Sequence, residues 1–274
     1  ALTGARYDLV VSGNDSAAVA LAEWQRWFGA RFKLAIWDFS PATRWRARRI
    51  AQDRALPLVD GVLALNRAQA RYVPDRWGAR ARVEVVGHWV DTDFYRPAAG
   101  LGAGVLAVGD DGGRDYPTLV EALRGSGIAA TIRSDRGVSA ADAARAGATL
   151  LERRVSASAF RDLYSAHRVV AVPLRADTAN ASGVSAILEA AAMGRPVVAS
   201  DSAGVREYLR DGETALVVPA DDPAAMRAAI PRVLDDDALA RRLGESGRRM
   251  VEADYAPSVF AARLAAGYRA IVDR

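Results

Sequence analysis

The stretch RVVAVPLRADTANASGVSAILEAAAMGRPVVASDSAGVREYLRDG, residues 168–212, carries the most informative pattern in the chain. It begins with an apolar run typical of a buried strand and continues through a polar loop. An apolar helix then opens at Ser182–Gly183 and ends at Gly194, and a second apolar run follows Pro196. A strand, a helix and a further strand in this order predict a parallel βαβ unit.

The loop at 178–184 is a candidate diphosphate-binding site. A helix N-terminus exposes unpaired N–H groups and the positive end of the helix dipole, and Gly183 would let a phosphate approach the backbone closely. Glu189 lies two turns further in, about 8–9 Å along the axis at ~1.5 Å per residue. Its carboxylate could accept both hydroxyls of a ribose. An ordinary helix start with an exposed glutamate remains the alternative.

The same alternation of strand and helix patterns extends along the whole chain. Apolar runs in the first section occur at 7–13, 32–39, 61–66 and 83–89, with helical patterns at 15–28, 42–56 and 67–77. The connector AAGLGAG (98–104) has no periodicity and is interpreted as a domain boundary. Strand patterns in the second section occur at 104–109, 129–133, 148–152, 168–174, 196–200 and 214–219, which predicts a complete Rossmann-like unit. The tail at 223–273 reads as consecutive helices, in which Pro231 should kink or end the first.

Composition excludes several classes of protein. The 274 residues are 51% hydrophobic and 26% charged, which is typical of one large or two ordinary globular domains. The chain has no cysteine, which excludes disulfides and thiolate sites, and its only two histidines, His88 and His167, argue against a histidine-rich metal site. No apolar run reaches the ~18 residues of a membrane span and no signal peptide is evident, so a cytoplasmic protein is expected.

Basic residues outnumber acidic ones, 37 to 33. The densest basic run consists of Arg44, Arg46, Arg48 and Arg49 around Trp45, and it could make a weak peripheral contact with the anionic inner face of a membrane. A general bias of the composition toward arginine and alanine is the favoured explanation of the charge. No nucleic-acid motif accompanies it, so no nucleic-acid partner is expected.

The stretch 168–212 resembles the C-terminal half of family 4 glycosyltransferases, which are retaining, nucleotide-sugar-dependent enzymes of the two-domain GT-B fold. The matching motifs are 181–183, 188–198, 204–208 and 211–219, while 83–97 and 105–122 resemble the family's interdomain stretch and its first C-domain strand, phosphate loop and helix. The resemblance covers roughly residues 60–265 well and 1–59 weakly. It implies an α/β, GT-B-like architecture with an incomplete N-terminal Rossmann-like domain at 1–97 and a complete C-terminal one at 98–255. The helix at 256–274 is then expected to pack back on the N-terminal domain.

Site residues follow from the same resemblance. Glu189 matches a glutamate that grips the nucleotide ribose, Arg114 matches a basic residue on the diphosphate, and both are assigned catalytic roles. The diphosphate site comprises Gly109, Gly113, Arg114, Arg175, Asn180, Ser182, Gly183 and Val184. Arg153 and Val155 should flank the nucleobase. Asp38 and Asn14, in loops of the first section, are acceptor candidates, although Asp38 also suits a turn before Pro41.

Three features qualify this assignment. Ala181 occupies the place of the family's other glutamate, near the donor sugar, and Asp110 that of a loop arginine. Asp110 and Asp111 would repel a diphosphate unless paired or turned outward. Asp91-Thr92-Asp93 resembles a metal motif but is interpreted as part of the interdomain stretch, so neither a metal nor another cofactor is expected.

The expected function is metal-independent, retaining transfer of a sugar, typically a hexose, from a nucleotide-diphosphate sugar to a glycan, lipid or small molecule. A non-catalytic nucleotide-sugar-binding or partner subunit is the alternative, and a GT-B epimerase or phosphorylase is a third reading. The family's first three βα units have no counterpart here. A fragment, a naturally short variant, or a partner or second copy covering the sheet edge would each account for that.

Overall fold

The computed structural model describes residues 7–29, 32–37, 46–77, 81–97, 100–176 and 180–273. Two compact units share these residues. Unit 1 comprises residues 1–88 and 258–274, and unit 2 comprises residues 89–257. Within the described residues, no helix has both the length and the apolar character needed to cross a membrane.

Unit 1 contains a parallel four-stranded sheet in the order β1-β2-β3-β4. Its strands are β1 (Leu9–Ser12), β2 (Lys33–Trp37), β3 (Gly61–Ala64) and β4 (Arg82–Val85). Within the described residues before β4, the helices are α1 (Asp15–Phe28), α2 (Arg46–Ala55) and α3 (Arg67–Trp77), and a 3₁₀ turn lies at Leu56–Leu58. All four predicted strands form, although β4 ends at Val85, before the predicted end at 89. The part of the predicted second helix before residue 46 lies outside the described residues.

The last helix of the chain, α10 (Pro257–Val272), packs on the sheet of unit 1. Ile271 is buried beside Gly61, where a Cβ would lie 2.6 Å from the Ile271 Cγ1. Lys33 on β2 donates from Nζ to the carbonyls of Ile271 (3.0 Å) and Val272 (2.9 Å). The C-terminal end of the chain is therefore part of the core of unit 1.

Unit 2 contains a parallel six-stranded sheet in the order β10-β9-β8-β5-β6-β7. The strands are β5 (Val105–Val108), β6 (Ala130–Arg133), β7 (Ala148–Leu151), β8 (Val169–Val172), β9 (Val197–Ser200) and β10 (Ala215–Val218). The helices are α4 (Tyr116–Leu123), α5 (Ala140–Arg145), α6 (Ala157–Ala166), α7 (Val184–Ala192), α8 (Pro223–Asp235) and α9 (Asp237–Asp254), with a 3₁₀ turn at Arg206–Tyr208. The α/β class and the six predicted strands of the second section are confirmed.

The strand order of unit 2 determines where its ligand-binding edge lies. From β5 the chain proceeds to β6 and β7 on one side and then crosses to β8, β9 and β10 on the other. In such sheets a crevice opens beyond the carboxyl ends of the two strands at this reversal. The loops after β5 and β8 therefore meet at the crevice.

The two faces of this sheet are both covered. One face packs against α7 and α9, with Ile187, Leu188 and Met250 in the core, and the other packs against α4 and α8. Pro231 was predicted to kink or end its helix, and the second of these alternatives is wrong, since α8 continues to Asp235. The proline removes one amide donor, but Ile230 and Val233 on either side are fully buried and hold the helix on the sheet.

Candidate functional site

The loop after β5 surrounds a buried arginine. Gly109 has a φ of +136°, and a Cβ there would lie 2.5 Å from the Arg114 guanidinium carbon Cζ, so only glycine accommodates this arrangement. The Arg114 side chain is 5% exposed and donates from Nε to the Asp111 carboxylate at 3.1 Å. Its Nη1 is buried and has no hydrogen-bond partner within the described residues. Arg114 therefore offers a cation with an unused donor at the crevice.

The start of α7 lies directly against this loop. A Cβ on Gly113 would lie 2.6 Å from the Ser182 Cβ, which shows how closely the two segments approach. The Arg175 amide donates to the Gly113 carbonyl at 3.0 Å, and the Asp115 amide donates to the Pro173 carbonyl at 3.1 Å. The loops after β5 and β8 are thus joined by backbone hydrogen bonds, and predicted diphosphate residues from both of them come together.

Gly183 makes the helix start suitable for an anion. Its φ is +84°, and a Cβ there would lie 2.9 Å from Val172 Cγ1. No side chain caps α7, which begins at Val184. This uncapped end carries the positive end of the helix dipole, which favours a negatively charged ligand.

Glu189 lies within α7 and is held by two tyrosines. Tyr95 donates its hydroxyl to Oε1 at 3.1 Å, and Tyr164 on α6 donates to Oε2 at 2.6 Å. Burial raises the pKa of Glu189, while the hydrogen bonds from Tyr164 and Tyr95 and the charge of Arg114 act in the opposite direction. The alternative of an exposed glutamate is wrong for this residue, because its carboxylate is enclosed by these groups.

The two loop aspartates are both paired. Asp110 accepts from Arg133 Nη1 at 2.7 Å and from the Asp135 amide at 2.8 Å, and Asp111 accepts from the Gly113 amide at 3.0 Å and from Arg114. Burial alone would raise the pKa of Asp110, but the Asp135 amide and Arg133 more than offset it, and the pKa is lowered. The repulsion expected from the sequence is therefore reduced by internal pairing.

Other predicted residues lie around the same edge. Arg175 Nε and Asn180 Oδ1 are both buried and lack a partner within the described parts of the chain. Arg153 and Val155 lie between β7 and α6, at the carboxyl end of β7, and Val155 is 40% exposed. They are thus two strands away from β5 along the sheet, at the same edge as the phosphate loop.

The acceptor candidates lie in unit 1. Asn14 caps α1, since its Oδ1 accepts from the Ala17 amide at 2.8 Å. Asp38 falls outside the described residues, as do Arg44 and Trp45 of the basic run, whereas Arg46 and Arg49 are exposed on α2.

His167 and Asp91 have structural roles. His167 pairs through Nδ1 with the Leu163 carbonyl and through Nε2 with the Thr131 hydroxyl. Asp91 accepts from the amides of Asp93 and Phe94, which makes Asp91–Asp93 a local turn. Across the described residues, no group of three or more His, Asp or Glu side chains is arranged to hold a metal ion.

Three contributors to this edge were missed by the sequence reasoning: Tyr95, Tyr164 and Arg133. Tyr164 lies four residues after Phe160, a spacing that places both on one helix face but does not indicate a carboxylate partner. Arg133 is the last residue of the strand ATIR, and an arginine at the carboxyl end of a predicted strand is the local signal that the sequence offered.

Residues 125–236 match a family model described as glycosyl transferases group 1. An alpha-D-kanosaminyltransferase of Streptomyces kanamyceticus is 40% identical over 85 residues, which are 31% of this chain and 22% of that protein. A phosphatidyl-myo-inositol mannosyltransferase of Mycobacterium leprae is also 40% identical over 85 residues, with the same two coverages. The chain therefore matches only about a fifth of the length of these curated relatives.

Solved structures share the fold over most of the chain. A sucrose-phosphate synthase from Thermosynechococcus elongatus superposes with a TM-score of 0.79 at 22% identity, covering 97% of this chain and 74% of that one. Anabaena HepE in complex with UDP-glucose gives a TM-score of 0.81 at 16% identity, covering 96% and 79%. These likenesses show a GT-B-like fold with two Rossmann-like units, as the sequence predicts.

Proposed function

Because its fold and its C-terminal sequence support a GT-B glycosyltransferase, we propose that this chain transfers a hexose from a nucleotide-diphosphate sugar to an acceptor, with retention of configuration and without a metal. One observation carries the proposal. A buried arginine with an unused donor, an uncapped helix N-terminus and an enclosed glutamate all meet at the crevice between β5 and β8.

In this proposal the diphosphate lies between the loop after β5 and the start of α7. Arg114 and the positive end of the α7 dipole stabilise its charge, with Ser182, Arg175 and Asn180 beside them. Glu189 accepts the two ribose hydroxyls, since a ribose follows its phosphates by about the 8–9 Å that separates residues 183 and 189 along the helix. The base extends toward Arg153 and Val155.

The proposed reaction forms a bond between the acceptor oxygen and the anomeric carbon on the face from which the diphosphate leaves. The bond from that carbon to the diphosphate oxygen breaks, and the departing diphosphate takes the acceptor's proton. Arg114 and the α7 N-terminus stabilise the charge that develops on the leaving group, in a site already arranged for it. Retention follows because attack and departure occur on one face.

A thermal-shift panel with UDP, GDP, ADP and their sugars tests the binding step. A ligand at about 100 times its Kd increases the free energy of unfolding by about 2.7 kcal/mol. The nucleotide that binds should therefore raise the Tm by about 5–10 °C. Glu189→Ala should weaken that ligand about tenfold or more, because two hydroxyls lose their acceptor. Glu245→Ala is the control, since Glu245 is exposed on α9. No shift with any nucleotide, or an equal shift for Glu189→Ala, contradicts the assignment.

Turnover separates the enzyme from a binding subunit. Two observations support the alternative of a non-catalytic binding or partner subunit. Among the described residues β1 pairs with only one strand, which leaves a sheet edge that a partner could cover. Ala181 supplies no carboxylate near the sugar. Release of nucleotide in the presence of glycan, lipid or small-molecule acceptors supports the transferase. Stabilisation by a nucleotide sugar without release across that panel supports the subunit.

A further inference from the structure

The surroundings of Glu189 are more specialised than binding a ribose alone requires. Its two carboxylate oxygens each receive one tyrosine hydroxyl, and the two tyrosines come from different parts of unit 2. Tyr95 belongs to the irregular segment 89–97, whereas Tyr164 belongs to α6. Two separate elements therefore fix the orientation of one side chain.

Both tyrosine rings are immobilised by neighbouring rings. Tyr95 and Tyr164 meet edge-to-face with centroids 6.1 Å apart, and Phe160 packs edge-on against Tyr164 at 5.6 Å. Phe94 does the same against Tyr95 at 5.0 Å, and Arg161 lies 5.0 Å above the Phe94 ring. Such pairs favour defined ring orientations, so each hydroxyl has little freedom to leave its carboxylate oxygen.

The backbone of Tyr95 is anchored as well. Arg248 on α9 donates from Nη1 to the carbonyls of Tyr95 and Ala192, each at 2.7 Å. Its Nη2 donates to the Thr92 carbonyl at 3.1 Å. One guanidinium thus ties the segment that carries Tyr95 to the end of the helix that carries Glu189.

Hydrogen-bond capacity indicates what this arrangement achieves. An ionised carboxylate accepts about four hydrogen bonds, and the tyrosines supply one to each oxygen. Each oxygen keeps a free lone pair, which is the acceptor pattern that two adjacent hydroxyls need. A protonated carboxyl would turn one oxygen into a donor and lose this pattern.

We infer that Tyr95 and Tyr164 are positioning residues that hold Glu189 as an oriented, ionised acceptor for the two hydroxyls of a nucleotide ribose. The inference rests on the proposed function, because it presumes that a ribose binds at Glu189. It extends that function by assigning the ionisation and orientation of Glu189 to two hydroxyl groups outside α7.

The pH dependence follows from the groups that face Glu189, which are Tyr95, Tyr164 and Arg114. Burial raises the pKa of both tyrosines, so they remain protonated donors at neutral pH. Asp91 and Arg161 act on Tyr95 with opposite signs. Removing either hydroxyl takes away an interaction that lowers the pKa of Glu189. Nucleotide binding should then be lost at a higher pH as the solution is acidified.

The test is the Kd of UDP by calorimetry between about pH 5 and pH 8, or of GDP or ADP if one of these gives the larger thermal shift. Tyr95→Phe should weaken binding about five- to tenfold at neutral pH. It should also raise the pH at which binding is lost on acidification, the acid limb of the Kd profile, by about half to one pH unit. Tyr164→Phe should act in the same direction. Both variants should discriminate less between the nucleotide and its 2′-deoxy analogue.

Tyr255→Phe is the matched control, because it removes another largely buried tyrosine hydroxyl whose bond is to the Glu207 carbonyl, 2.9 Å away. It should leave the Kd and the acid limb unchanged. If Tyr164→Phe fails to fold, Tyr95→Phe still tests the positioning inference. Tyr95 is only partly buried, so this variant should fold.

Two negative outcomes can be told apart. If Glu189→Gln weakens UDP but both tyrosine variants keep the wild-type Kd and acid limb, the positioning inference fails and the proposed function stands. If Glu189→Gln binds as the wild type does, or no nucleotide binds the wild type, the ribose assignment fails and the inference fails with it.

Discussion

At the scale of single residues, Asp110 shows how a carboxylate is kept beside a candidate diphosphate site. Arg133 at the end of β6 pairs with it at 2.7 Å, and the Ser134 hydroxyl and Asp135 amide donate to its other oxygen. Asp110 thereby joins the loop after β5 to the loop after β6. The Arg133 side chain is only 7% exposed, so its buried charge needs a counter-ion, and Asp110 provides it.

Asp110→Asn should destabilise the protein by about 1–3 kcal/mol at neutral pH, because a buried guanidinium loses its counter-ion. The pKa of Asp110 is lowered in the folded state. Its stabilising contribution is therefore present above the unfolded pKa and is lost as the pH falls through the folded value. Urea denaturation should show wild type and variant converging between about pH 5 and pH 2. A difference that stays constant over this range would contradict the role given to the charge.

At the scale of elements, α7 is held in place by glycines of α9. A Cβ on Gly244 would lie 2.9 Å from the Gly194 carbonyl carbon, and one on Gly247 would lie 3.3 Å from the Ala191 Cβ. The two helices approach this closely because these positions carry no side chain. Since α7 presents both its N-terminus and Glu189 to the crevice, this packing also sets the position of the site.

Gly244→Ala should destabilise unit 2 by about 1–3 kcal/mol, since a methyl group there meets backbone that cannot move without shifting α7. This loss should outweigh the roughly 1 kcal/mol that alanine gains over glycine in a helix. Gly112→Ala is the comparison, because nothing lies within 4 Å of a Cβ at that position. Thermal denaturation of both variants measures the effect, and equal melting temperatures would refute it.

At the scale of the whole molecule, unit 1 is discontinuous in sequence. Its sheet comes from the first 88 residues, while α10 returns from the end of the chain to cover it. Ala35, Leu63, Val86 and Ile271 form the buried contact, with Phe260, Leu264 and Tyr268 around them. The sheet face under α10 therefore acquires its cover only when the last residues of the chain are in place.

Ile271→Ala should destabilise unit 1 by about 2–4 kcal/mol, through lost apolar burial and a cavity against β3. Val272→Ala is the control, since Val272 is 36% exposed, and it should change stability by less than about 0.5 kcal/mol. Tryptophan fluorescence suits the measurement because five of the six tryptophans precede residue 89. Equal urea midpoints for the two variants would contradict this account of α10.

The amino-acid sequence alone determined the order of strands and helices, the parallel arrangement of the strands in both sheets and the helix start at Ser182–Gly183. These features depend on apolar periodicity, glycine and capping residues, which act between neighbours in the chain. The same local pattern marked Gly183 and Glu189 as a candidate site, and the family resemblance added Arg114. The roles of all three remain predictions.

Only the tertiary structure decided what surrounds those residues. Tyr95 and Tyr164 reach Glu189 from 94 and 25 residues away, and Arg133 reaches Asp110 from 23 residues away. Side chains this far apart meet because several elements pack on one sheet, and no periodicity in the chain encodes that meeting. The secondary structure could therefore be predicted from the sequence, whereas the electrostatic environment of each carboxylate is set only by the folded structure.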